Sequence, residues 1–138
     1  TDILSSTDDP GHSNFIKSCS SPYDWRSPQN NNLWQGEGGI NNPCPPGWRL
    51  PTESEWTTEM NSWGSSDYNG AYASPLKLTA GGYRSFSSAS LGSVGSSGCY
   101  GSSTVVEPNA RTLYFDSSFA GISSFKRAGG PSVRCVKD

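Results

Sequence analysis

Residues 98–135 read GCYGSSTVVEPNARTLYFDSSFAGISSFKRAGGPSVRC. In its middle, Leu113 and Phe115 alternate with Thr112, Tyr114 and Asp116. A strand turns successive side chains to opposite faces, so one face is expected in the core and the other in solvent. The outward set mixes a hydroxyl, an aromatic ring and a carboxylate, with no shared chemistry. Further on, Phe119, Gly121, Ser123, Phe125, Gly129 and Pro131 are equally unmatched. Large aromatics at exposed loop positions point to recognition, because contact with water gives them no stabilising role. The segment therefore reads as a binding surface, not an active site.

The 138 residues fit one domain. Only 32% are apolar, yet there are five Trp, six Tyr and five Phe, so a few large rings must supply much of the core. Sixteen Gly and ten Pro imply long ordered loops and little helix. Net charge is −2 with no basic run, which argues against a nucleic-acid partner. No stretch approaches the ~20 apolar residues of a membrane span, so no membrane insertion by this segment is expected. The chain starts at Thr1 without a signal peptide and is read as a processed product or an excised domain.

Cys19, Cys44, Cys99 and Cys135 form no CxxC pair, and His12 is the single histidine, so no structural metal site is expected. An even cysteine count in a loop-rich domain suggests disulfides and an oxidising compartment. Three pairings are open. Cys44 with Cys135 is favoured, since one opens the ordered middle and the other lies in the last expected strand. Cys19 with Cys99 would follow by elimination.

Residues 1–11 read as a flexible arm and 12–138 as the domain, with Asn14–Lys17 a possible short strand. Tyr23, Trp25 and Trp34 are expected to anchor the long loop that follows. The clearest local signal is RLPTESEW at 49–56. Thr52 and Glu55 make a capping box, and Trp56, Met60 and Trp63 form one apolar stripe, which predicts a helix over about 53–63. Strands are expected at about 75–79, 81–86, 98–104, 111–116, 121–125 and 132–137. One early helix followed by short antiparallel strands is an α+β pattern.

CPPGWRLPTESEW at 44–56, AGGYRS at 80–85, GSST at 101–104 and SVRCVKD at 132–138 occur in a fixed order. Together they resemble the Fibrobacter-type major paralogous domain, from about Ser21 to the C-terminus. That resemblance implies a C-type-lectin-like fold. RLPTESEW by itself is less specific, because formylglycine-generating enzymes carry a similar segment on a related fold. Within the family, the tail is similar to the variable region of a diversity-generating retroelement protein. There, AAY codons of a template are miscopied while a frame persists. The frame here would be GSSTV, AR, L, F, SS, A, RA, G and SVRC. The residues between are Cys99, Tyr100, Asn109, Thr112, Tyr114, Asp116, Phe119, Gly121, Ser123, Phe125, Gly129 and Pro131. All twelve are reachable from AAY by changing its first two bases. The chain departs from many relatives at Gly101 and Pro131, where they carry aromatics, and a diversified Cys99 would leave its bridge to Cys19 accidental or absent.

The resemblance implies a display domain, on a cell or virion surface, that recognises a protein or surface glycan without a cofactor or catalysis. Tyr100, Tyr114, Phe119 and Phe125 would be its energetic anchors, and Asn109, Thr112 and Asp116 its hydrogen-bonding positions. Two alternatives stand beside it. One is a structural or adhesive surface module. The other is a calcium-dependent sugar site at Glu107-Pro108-Asn109, a tripeptide of sugar-binding lectins, although the Trp-Asn-Asp that completes such sites is replaced by Phe115-Asp116. An enzyme reading lacks a second late cysteine beside Cys135, and His12 lies on the arm, so a Ser-His-Asp or Cys-His unit has no obvious base.

Overall fold

The computed structural model describes all 138 residues, Thr1–Asp138. Two short helices precede five short strands: α1 (Glu53–Asn61), α2 (Tyr68–Ala73), β1 (Tyr83–Arg84), β2 (Leu91–Gly92), β3 (Gly98–Val106), β4 (Asn109–Phe115) and β5 (Ala120–Phe125). The strands form two small antiparallel sheets, β1-β2 and β3-β4-β5. The α+β class with few helices and short strands is thus as expected.

Helix α1 starts where the capping box places it. The Glu55 amide donates to Thr52 Oγ1 at 3.2 Å, and the Thr52 amide donates to Glu55 Oε2 at 2.8 Å. The helix ends at Asn61 with Ser62 as C-cap, two residues short of the expected Trp63. Trp56 is its buried residue, and its indole nitrogen donates to the Gly101 carbonyl at 3.0 Å. This bond ties α1 to β3 across the core. Trp63, just beyond the helix, still meets Phe115 edge-on with ring centroids 5.7 Å apart.

Trp56, Ala71, Leu78, Tyr100, Leu113, Phe115 and Ala120 form the core cluster. Leu113 and Phe115 have no exposed surface, as their alternation predicts. Elsewhere the strand expectations shrink. Residues 75–79 are loop, with Lys77 at φ 52°, and 81–86 keeps only β1. Residues 132–137 make single bridges, Tyr100↔Ser132 and Arg49↔Val136, and Asn14–Lys17 contributes a buried Ile16 without a strand. Helix α2, capped by Asp67, and β2 were not anticipated.

Cys44 and Cys135 are disulfide-bonded across 91 residues, as favoured from the sequence. The second pairing is not formed: Cys19 is exposed and Cys99 buried, both as free thiols. Residues 1–11, expected as an arm, touch the rest of the domain. The Ser5 amide donates to the Trp25 carbonyl at 3.0 Å, and the Ser27 amide donates to the Ser5 carbonyl at 2.9 Å.

Candidate functional site

Strand register decides which side chains share a face. Cys99, Tyr114 and Gly121 lie in one row across β3, β4 and β5, and Gly101, Thr112 and Ser123 in the next. Ala110 and Phe125 continue that face at its far end. Tyr100, Leu113 and Ile122 belong to the opposite face, against α1. Six of the twelve sequence-singled positions (Cys99, Thr112, Tyr114, Gly121, Ser123 and Phe125) therefore point away from the helix.

Four more border this outer face. Asp116 and Phe119 form the β4–β5 turn. Phe119 is 51% exposed, and its ring stands where a Cβ on Gly121 would go. Gly129 lies directly on the Phe125 ring, and Pro131 approaches Gly101. Phe125 in turn meets Tyr83 edge-on at 5.9 Å. Asn109 sits at the start of β4, opposite Val106, with its Oδ1 buried and without a hydrogen-bond partner.

Three expectations need correction. Tyr100 is not an exposed anchor. It stacks on Phe115 at 6.0 Å, its hydroxyl donates to the Thr79 carbonyl at 3.0 Å, and it belongs to the core. Thr112 is not solvent-facing: it is 1% exposed and its hydroxyl donates to the Ser123 carbonyl at 3.4 Å. Asp116 spends its carboxylate on its own turn. Its Oδ1 accepts from the amides of Ser118 and Phe119 at 2.8 and 3.0 Å, and Oδ2 accepts from the Tyr114 hydroxyl at 3.2 Å. Those bonds, the Ser118 amide foremost, hold its carboxyl below the usual range. Cys99 and Gly121 are likewise buried, and burial pushes the Cys99 thiol up to about 11. The accessible part of the face is thus Tyr114, Phe119, Ser123, Phe125, Gly129 and Pro131, all at least partly exposed.

Thr112 is buried because a loop from far upstream roofs this end of the face. A cleft of about 70 Å³ lies between them, walled by Trp25, Trp34, Phe125, Arg127 and Pro131 and floored by Thr112. The Ala128 amide donates to the Tyr23 carbonyl at 3.0 Å, which joins the loop to the segment after β5. Arg127 Nη1 stands 3.6 Å from Asp24 Oδ2, with the two side chains 9% and 3% exposed. Trp25 and Trp34 were expected as anchors, but their meeting with β4 and β5 has no local signal. Arg127 belongs to the expected fixed frame, and nothing local in the sequence marks its place beside Asp24.

The remaining chemistry-bearing groups are engaged elsewhere. Glu53 binds Arg111 at 2.8 Å, and Arg49 forks onto Glu55, whose carboxyl falls from 4.5 to about 2 because of those guanidinium bonds. Glu107 and Pro108 form the β3–β4 turn, where Asn31 donates to Glu107. Asp116 lies past the other end of β4, roughly 20 Å away at ~3.3 Å per residue, so it cannot complete a cation site with Glu107. Cys135 is occupied by its disulfide. No helix is long and apolar enough to cross a membrane.

No protein-family model, curated protein or solved structure matches the chain.

Proposed function

We propose that this chain is a ligand-display domain on a C-type-lectin-like scaffold, whose outer sheet face is diversified by a retroelement to recognise a macromolecular target. The observation that carries the reading is the register of β3, β4 and β5. Six positions chosen from the frame pattern fall on one face, four more border it, and the frame residues Leu113 and Phe115 fall in the core. Alternation alone does not arrange borders across three strands and a turn.

In this reading the scaffold pre-organises the backbone, so binding loses little to ordering the chain. Tyr114, Phe119 and Phe125 supply aromatic area, and Ser123 an adaptable hydrogen bond. Tyr100 and Thr112 serve as support beneath the face. The disulfide agrees with an extracellular, cell-surface or virion-surface setting, and the target is a protein or a surface glycan.

The test is a displayed library randomised at Tyr114, Phe119, Ser123 and Phe125. Most members should melt within about 5 °C of the parent, and selection against unrelated proteins should return binders with different side chains at these positions. A library in which most members fail to fold would show that the face is structural and would remove the reading.

A further inference from the structure

Tyr83 lies on β1, outside the variable-looking segment, yet its ring belongs to the same outer face. It meets Phe125 edge-on at 5.9 Å, with the ring planes 83° apart. Strand pairing sets Tyr83 opposite Gly92, where a Cβ would stand 3.3 Å from the ring and 3.4 Å from its hydroxyl. Gly92 therefore gives the ring its place. Tyr114 is also near: burial above all raises its phenol, and the Tyr83 hydroxyl adds to the rise. Tyr83, Tyr114 and Phe125 thus form one group of rings drawn from β1, β4 and β5. Tyr83 is half-buried, and its hydroxyl takes no partner in the chain and is not among the buried polar atoms. The other two phenols at this sheet are engaged, Tyr100 with the Thr79 carbonyl and Tyr114 with Asp116. A tyrosine with a packed ring and a free hydroxyl has little side-chain entropy to lose when a partner arrives.

The polar groups at hand select the partner. A glycan is held through its hydroxyls, and the charged acceptors that bind hydroxyls most strongly are not on offer. Asp116 is bound within its own turn, and the Asn109 Oδ1 is buried. What remains is ring area with the hydroxyls of Tyr83 and Ser123, which suits the mixed apolar and polar surface of a protein. We propose that Tyr83 is a fixed contact of the recognition face and that the target is a protein. The Tyr83 ring packs with Phe125, and its hydroxyl hydrogen-bonds the target. The proposal rests on the outer face being the recognition surface, and it adds a contact outside the twelve variable-looking positions. Whichever side chains fill those positions, binders share the Tyr83 contact.

The test takes the library randomised at Tyr114, Phe119, Ser123 and Phe125, with Tyr83 unchanged. It is selected against lysozyme and streptavidin, two unrelated proteins, and against immobilised mannan as the glycan probe. Binders are then remade with Tyr83→Phe and with Tyr83→Ala, and Kd is measured by biolayer interferometry. Tyr83→Phe keeps the ring and should leave Tm within about 2 °C, while Kd for both proteins rises roughly threefold to tenfold, the size of one hydrogen bond. Tyr83→Ala should weaken binding by roughly a further tenfold. A change below about twofold on Tyr83→Phe in binders to both proteins would overturn the proposal. If Tyr83→Ala alone weakens them, Tyr83 supports Phe125 from the scaffold and is not a contact. Binders to mannan and to neither protein would overturn the choice of a protein target. The two readings also fail separately. A library that does not fold removes the recognition surface, whereas protein binders indifferent to Tyr83→Phe remove only this contact.

Discussion

Truncating Phe115 and Phe119 to alanine sets the two sides of the sheet against each other. Phe115 has no exposed surface and touches Tyr100 and Trp63, so Phe115→Ala leaves a cavity inside the core and should cost about 3–5 kcal/mol. Phe119 is 51% exposed and lies over Gly121. Half of a ring burying ~200 Å² is ~100 Å², or about 2.5 kcal/mol at ~25 cal/mol per Å². Alanine retains part of that burial and the denatured chain already hides some, which leaves roughly 1–1.5 kcal/mol. For 138 residues, ~2.1 cal/mol/K per residue converts 1 kcal/mol into about 3–4 °C. Phe115→Ala should therefore melt roughly 10–17 °C below wild type, and Phe119→Ala within about 5 °C. Chemical denaturation with the slope held common gives the same comparison in free energy. If Phe119→Ala, or Tyr114→Ala beside it, costs as much as Phe115→Ala, the face is core and the separation of scaffold from display surface is wrong.

The other predictions concern the cysteines, the glycines and acid. A thiol reagent should label Cys19 in the native protein and reach Cys99 only on unfolding, because Cys99 is buried and its thiol sits near 11; rapid native labelling of both would contradict its placement. Replacing Cys44 and Cys135 by serine opens a loop closed across 91 residues and should lower stability by up to about 4–5 kcal/mol, read as a fall in Tm of up to roughly 15 °C. Gly98→Ala drives a methyl into the buried Phe115 ring and should cost about 1–3 kcal/mol, whereas Gly121→Ala meets only the free end of the exposed Phe119 ring and should cost less than 1; melting curves of the pair decide it. The Glu55 carboxyl is held at about 2 in the fold against an ordinary 4.5, so its contribution is complete above about pH 5 and is lost as the pH falls toward 2. With 44% of that side chain exposed, solvent screening leaves about 1 kcal/mol, so the urea midpoint of wild type should fall more steeply than that of Glu55→Gln over this range. Parallel curves would mean that the Arg49 fork adds nothing.

The legible parts of this fold are those with local causes. The capping box marks the start of α1, and alternation around Leu113 and Phe115 finds the core face of β4. At Tyr100 the frame pattern and the strand period disagree. Cys99 and Tyr100 are neighbours on one strand and cannot share a face, so grouping both in one surface conflicts with the period of two. Register then assigns Tyr100 to the core, because it pairs with Leu113. The burial of Thr112 was not legible at all. It depends on a roof delivered from residues nearly eighty positions upstream, and the ion pair of Asp24 with Arg127 spans a still longer stretch of chain. The expected strand at 132–137 makes only isolated bridges, because the C-terminal segment meets β3 at Ser132 alone and then leaves it to meet Arg49 at Val136. Helix α2 is six residues long and leaves little beyond its Asp67 cap to read.

The central claim is that a fixed frame carries positions rewritten from a template. Sequencing the DNA around the gene tests it most directly. The account predicts a near-copy of codons 99–135 with AAY at the twelve positions, Tyr100 and Thr112 included, beside a reverse-transcriptase gene. A locus with neither template nor reverse transcriptase would contradict it and leave an ordinary binding or adhesive module with an unvarying face.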